Sequence, residues 1–175
     1  MVDAARSLFV EQGFAKVGMR EITARAGLSP MQAYRIGLAK EDLLAEVSIA
    51  LSDEQLRTIT AKTSPRPTES LQAFVERFLL KLYKSDIQNI SIRKESAAYG
   101  WMWSQKYESR IVEQVLALLQ PIAAAMSAQG MENIPARCFT IWSLYYVGYR
   151  RAVVQGATAR QCLDAIHDSL GLALR

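Results

Sequence analysis

The segment MREITARAGLSPMQAYRIGLAK, Met19 to Lys40, reads as two short helices around a tight turn. Ile22 and Ala26 lie four apart on one face of the first helix. Gly27 supplies the turn, and Leu28 is placed to plug its inner side. Ser29 is a good N-cap, and Pro30 stands at the first helical position, where its missing N–H costs nothing. Ala33 and Ile36 point inward from the second helix, leaving Gln32, Tyr34 and Arg35 on other faces. Two such helices about a glycine turn form a helix-turn-helix, whose second helix is shaped to enter a DNA major groove.

Charge supports this reading locally rather than globally. The whole chain of 175 residues carries a formal +4 with a pI near 9.2. Many basic proteins bind no nucleic acid, so the total decides little. Between positions 16 and 40, however, Lys16, Arg20, Arg25, Arg35 and Lys40 stand against Glu21 alone. A compact basic patch is the electrostatic footprint expected beside phosphates.

Outward from this segment the pattern is helical. Val2, Ala5, Leu8 and Phe9 mark an opening helix that Gly13 is placed to end, with Phe14 closing over the same core. That helix begins almost at Met1 without a basic arm; either the chain starts further upstream or the head works without one. Glu41 and Asp42 open a long helix with Leu43, Leu44, Val47 and Leu51 on one side, continuing to about Thr60. TSPRPT, Thr63 to Thr68, is a turn or linker, with Thr68 expected to cap the next helix. Leu71, Phe74, Val75, Phe78, Leu79 and Leu82 form its stripe. Ile87 to about Met102 looks helical, and Tyr107 to Gln129 is a strong helix that Pro121 should kink. Pro135 opens a helix running to about Gln155, with Gly156 as its stop. Thr158 and Gln161 are spaced as a capping box for a last helix whose stripe is Leu163, Ile166, Leu170 and Leu174. No β alternation stands out, and the expected class is all-α.

The composition also excludes. Cys138 and Cys162 follow no metal spacing and read as free thiols in a reducing compartment. No apolar run approaches the ~20 residues of a membrane span, and no secretory signal opens the chain. A cytoplasmic protein is expected. His167 is the single histidine and has no partner at ligand spacing, so no metal is expected. There is no nucleophile motif, no phosphate-cradling glycine loop and no paired carboxylate arrangement; neither enzyme activity nor a cofactor is expected.

With Gly27, Leu28, Ser29, Tyr34 and Lys40 in place, DAARSLFVEQGFAKVGMREITARAGLS and KEDLLAEV resemble the TetR family of bacterial transcription regulators. The resemblance covers roughly Val2 to Val47; beyond it only length and helical pattern match. It implies a three-helix DNA-binding head, residues 1–46, on a ligand-binding and dimerisation body, residues 47–175. Tyr34 and Lys40 match positions that contact phosphates in that family. Thr23, Ala33, Ile36, Gly37 and Ala39 depart from its pattern. It has a small Ala at the first, a larger aliphatic at the second, two aromatics at the next pair and Ser or Asn at the last. The added Gly37 should loosen the end of the recognition helix.

The DNA-binding candidates are therefore Arg20, Ser29, Pro30, Met31, Gln32, Tyr34, Arg35 and Lys40. Gln suits adenine and Arg guanine, whereas Tyr and Lys suit phosphate. Arg25 reads as a surface charge. Large rings crowd the body, and an apolar cavity with a few polar handles needs such residues. Phe78, Tyr99, Trp101, Met102, Trp103, Tyr107, Met126, Trp142 and Tyr145 are the ligand candidates. Trp101 and Trp103, two apart, cannot both face one core. Phe139, Trp142, Tyr146 and Tyr149 with Leu163, Ile166, Leu170 and Leu174 suit a four-helix dimer seam, and the resemblance implies the same. A dimer presents two heads to two half-sites.

The sequence thus points to a homodimeric regulator, a repressor, released from a double-stranded operator by a small, largely apolar effector. The alternative is a helical ligand-binding or dimerisation module whose head has lost specific DNA binding.

Overall fold

A computed structural model describes every residue except Ser104, and only the backbone of Pro30, Ala33, Trp101, Gln105 and Lys106. The inward side of Ala33 and the ring of Trp101 thus lie outside the described residues. The described chain is all-α, without a strand. Its helices are α1 (Val2–Gln12), α2 (Met19–Arg25), α3 (Pro30–Ile36), α4 (Lys40–Thr58), α5 (Leu71–Gln88), α6 (Ile90–Tyr99), α7 (Gln105–Ala128), α8 (Ile134–Gln155), α9 (Ala159–Asp164) and α10 (His167–Ala173).

Most ends follow the local chemistry read above. Gly13 closes α1 at φ 84°, and Gly156 closes α8 at φ 67°, conformations that suit residues without a Cβ. The Thr158–Gln161 capping box opens α9. Other boundaries differ. Ser70, not Thr68, caps α5, its hydroxyl accepting from the Ala73 amide at 3.2 Å. The segment expected to be one helix over 87–102 is the end of α5, then α6, then a 3-10 turn over Gly100–Met102. The last helix is broken into α9 and α10 at Ala165 and Ile166. Helix α7 continues through Pro121. Its Tyr107–Ala128 segment is more apolar than the sequence reading allowed: it has a mean hydropathy of 1.5, long and apolar enough to cross a membrane by length and composition. Tyr107, Leu118, Leu119, Ile122 and Met126 of that segment are buried.

The chain forms two compact units, Met1–Glu54 with Asn89–Gln114, and Gln55–Gln88 with Val115–Arg175. In the first, Ala5, Leu8, Phe9, Phe14, Val17, Ile22, Leu43, Leu44, Val47, Leu51 and Ile92 make one core. Residues 89–114 therefore pack with the head, and α6 lies directly on α1. Polar clamps add to the apolar packing. Arg93 on α6 donates to the Ser48 carbonyl at 3.3 Å and to the Ser48 and Ser52 hydroxyls of α4. Arg110 on α7 grips Glu46 with two bonds of 2.9 and 3.0 Å, and Gln114 donates to the Ile49 carbonyl at 2.9 Å.

In the second unit α5 packs on α8, α9 and α10. The stripe expected on α5 is buried throughout, as are Leu163, Ile166 and Leu170. Gly148 marks a close helix approach: a Cβ there would run into the Tyr83 hydroxyl and lie 2.8 Å from the Cys162 carbonyl oxygen. Both cysteines are free and buried.

Candidate nucleic-acid interface

The helix-turn-helix is built by backbone bonds at its turn. The Ala26 amide donates to Ile22, Gly27 to Ala24 and Leu28 to Thr23, with Gly27 at φ 67°. That geometry reverses the chain within four residues after α2. Ile22 is fully buried, and Thr23 is nearly so, its hydroxyl donating to the Arg20 carbonyl at 2.9 Å. Thr23 thus substitutes for a smaller residue without leaving an unsatisfied polar group.

Helix α3 opens on a capping box. The Ser29 amide donates to Gln32 Oε1 at 2.8 Å, and the Gln32 amide donates to the Ser29 hydroxyl at 3.3 Å. Gln32, a base-reading candidate, is therefore also a structural residue. Its carbonyl oxygen is taken up by the backbone, while its amide N–H groups keep their donor role. The signal was in the sequence, because Ser-x-x-Gln is the capping-box spacing.

At the other end Gly37 stops α3 at φ 66°, its amide bonded to the Tyr34 carbonyl at 3.1 Å. This corrects the expectation of a loosened helix end: Gly37 stands just past α3 in the backbone region where glycine is favoured. Ile36, expected inward, is 45% exposed. Ala39 lacks a capping side chain, but its amide donates to the Asp42 carboxylate at 2.8 Å, so α4 keeps half a capping box.

The exposed face of α3 carries Met31, Gln32, Tyr34 and Arg35, and Tyr34 is 84% exposed. Arg20 on α2 and Ser29 at the turn are exposed as well, whereas the side chain of Pro30 lies outside the described residues. The cations are not equivalent. Arg25 forms a fork with Glu11 through two 3.0 Å bonds, which hold the Glu11 carboxyl below its usual range. It braces α2 on α1. Lys40 donates to the Phe14 carbonyl at 3.1 Å and lies over the Phe14 ring. Arg20 and Arg35 have no ion pair among the described residues, leaving two guanidinium groups on the face that carries Tyr34.

A groove of about 540 Å³ runs beside this face, between α2 and α3, with Arg20 and Tyr34 in its lining. Elsewhere in the head's core, Tyr99 of α6 meets Phe14 edge-on at 5.0 Å.

The ligand candidates divide between the two units. In the first, Tyr107 is buried with Ala45 and Ile49; burial, then the Asp42 and Glu46 charges, push its hydroxyl up. Trp103 is half-buried, and its indole N–H has no acceptor among the described residues. Met102 is 70% exposed. In the second, Phe78 and Met126 are fully buried, and Trp142 stacks on Tyr145 at 5.2 Å. Tyr145 donates to Asp86 at 2.6 Å, and Tyr83 donates to the Tyr145 carbonyl at 3.0 Å. Asp86, missed in the sequence, is a hub that also accepts from Gln55.

The dimer candidates divide too. Tyr149, Leu163, Ile166 and Leu170 are buried within their own unit. Leu174 and Trp142 are half-buried. Phe139 and Tyr146 are exposed, joined by Val147, Val154 and Leu172, which the sequence reading passed over. Their seven-residue spacing on α8 (139 and 146, 147 and 154) was the available signal. His167 pairs with Glu76 at 2.8 Å.

Residues 1–47 match the sequence model of the bacterial regulatory proteins of the tetR family. No curated protein matches the chain in sequence. The fold is similar to that of a TetR transcriptional regulator from Rhodococcus sp. RHA1, with a TM-score of 0.69, 19% identity, and 99% and 92% of the two chains covered. It is also similar to a TetR/AcrR-family regulator of Thermobifida fusca, with a TM-score of 0.66, 20% identity, and 99% and 94% covered. A TetR-family regulator of Thermus thermophilus gives a TM-score of 0.67 at 15% identity, with 97% and 95% covered.

Proposed function

We propose that this chain, a member of the TetR family of bacterial regulatory proteins and so a DNA-binding transcriptional regulator, is a cytoplasmic homodimeric repressor released by a small, largely apolar effector. The observation that carries the DNA-binding part is the exposed face of α3 with Tyr34, Arg35 and Gln32, beside Arg20 on α2. Arg20, Ser29, Tyr34 and Lys40 position the head on phosphates. Gln32 reads base edges and Arg35 reaches either a base edge or the backbone, with Met31 exposed beside them and Pro30 a further candidate at the helix start. The functional division falls after residue 46, with head before and body after.

Two features support effector response. Helix α7 carries two of the aromatic and apolar candidates itself, the buried Tyr107 and Met126. Helix α6 touches the head through Tyr99 and Phe14, and Phe14 in turn holds Lys40. A displacement of α6 therefore reaches the α4 start through one residue, Phe14. The effector acts only through its differential affinity for the two head arrangements. The exposed apolar residues of α8 with Leu172 supply the dimer surface.

Selecting genomic fragments on the purified chain tests the regulator reading. Enrichment of a palindromic sequence, with duplex affinity falling steeply as salt rises, is the expected result. If no fragment is enriched and affinity for random duplex ignores salt, the chain is instead a helical ligand-binding or dimerisation module.

A further inference from the structure

We propose that the groove between α2 and α3 is a small-molecule binding site in its own right and that it takes an aromatic carboxylate. Its volume, about 540 Å³, is within the range of small-molecule sites. Met19, Leu28 and Leu38 give apolar walls. Two further lining positions, Ala24 and Gly37, carry one side-chain carbon or none, which leaves a slot rather than a filled seam. A Cβ built on Gly37 would meet nothing within 4 Å. The Thr23 hydroxyl is spent on the Arg20 carbonyl, so no free donor of Thr23 interrupts the wall.

The polar groups of the lining are equally selective. Among the described residues, Arg20 is its one charged side chain, exposed and without an ion pair, and no carboxylate lines the groove to repel an anion. A guanidinium fork matches a carboxylate in two parallel bonds. The Tyr34 ring, 84% exposed, adds an aromatic face on which a flat ligand stacks. A planar ring in the slot with its carboxylate on Arg20 satisfies each of these features.

Such a ligand occupies the two side chains assigned above to phosphates. It competes with DNA directly, within one head, and needs no change in the body. The competition rests on the DNA-binding reading; occupation of the groove does not.

The test is titration of the ¹⁵N-labelled full-length chain with 2-naphthoate. Saturable shifts of the Ala24, Leu28, Gly37 and Leu38 amides are expected, with uncharged 2-naphthamide about tenfold weaker. Arg20→Gln should bring naphthoate down to the level of the amide, and Ala24→Phe should block both by filling the slot. Absence of shifts at these amides, or equal binding of acid and amide to the unmodified chain, overturns the site. Saturating naphthoate should also raise the Kd for duplex; an unchanged Kd overturns the competition. A chain that binds no duplex at all refutes the regulator reading instead, and the amide shifts still decide the groove.

Discussion

The Lys40 ammonium lies 3.1 Å from the Phe14 carbonyl oxygen and 4.3 Å from the centre of the Phe14 ring. One side chain at the start of α4 thus holds the segment after α1. A carbonyl bond to a charged donor, with a ring beneath it, contributes about 2 kcal/mol. Only one of the three ammonium donors is spent there. Lys40→Met should lower the melting temperature of the chain and also reduce the slope of log affinity against log salt by about one phosphate. A lower melting temperature with an unchanged slope would make Lys40 a structural post alone.

Gln32 separates stability from recognition. Gln32→Ala removes half the capping box and should cost about 1 kcal/mol of stability along with duplex affinity. Gln32→Glu keeps an acceptor for the Ser29 amide, at a helix start that favours a carboxylate. It should melt like the parent chain yet bind duplex at least tenfold more weakly, because a negative charge now faces DNA. Thermal melts and fluorescence anisotropy on one labelled duplex measure both; full affinity in the Glu variant would remove Gln32 from the interface.

The exposed residues of α8 predict a monomerising variant. Phe139, 73% exposed, and Val147, 61% exposed, leave the unit's own core untouched when changed. Phe139→Glu with Val147→Glu should shift sedimentation from dimer to monomer with secondary structure intact. Affinity for a two-half-site duplex should fall about a hundredfold, since the second head loses its effective concentration. A dimer that survives both charges would place the interface elsewhere.

Gly148 is the least replaceable glycine of the second unit. Gly148→Ala should destabilise by about 2 kcal/mol, as its methyl meets the Tyr83 hydroxyl and the Cys162 carbonyl. Tyr83→Phe removes one of those atoms. The double variant should therefore be less destabilised than the sum of the two single changes, as denaturant titrations of all four chains would reveal.

Glu69 gives a pH signature. Its bonds to Arg77 hold its carboxyl at about 2, well below the ordinary carboxylate range. A depressed folded-state pKa contributes stability that is full above the unfolded value and is lost as pH falls towards the folded one. Arg77 also donates to the Ser64 carbonyl at 2.9 Å, so the pair ties the linker before α5. Melting temperature should drop between pH 4.5 and 2, and Glu69→Gln should flatten that part of the drop. An identical acid profile in the variant would dismiss the pair as a contributor.

The head was legible in Met19 to Lys40 because its determinants are local. A turn glycine, an N-cap and apolar residues at helical spacing act within a few residues of one another, so Gly27, Ser29 and Ile22 announced their roles directly. Even the Ser29–Gln32 bond follows from spacing alone. The same local logic gave the α9 capping box and the α5 stripe.

Where contacts join distant segments, only the tertiary structure decided. The spacing of Leu163, Ile166 and Leu170 is the same whether they close a core or a dimer seam; burial assigns them to the core and leaves Phe139, Tyr146 and Val147 outside. Arg25 counted as one positive charge until Glu11, fourteen residues away, was placed beside it. Periodicity reports that a residue faces something apolar or finds a partner, but which surface or charge arrives there depends on how the helices pack. Within Met19 to Lys40 itself, the chain determined the turn and both helices. The packing decided that Lys40 is held by Phe14 and that a groove remains open between Arg20 and Tyr34.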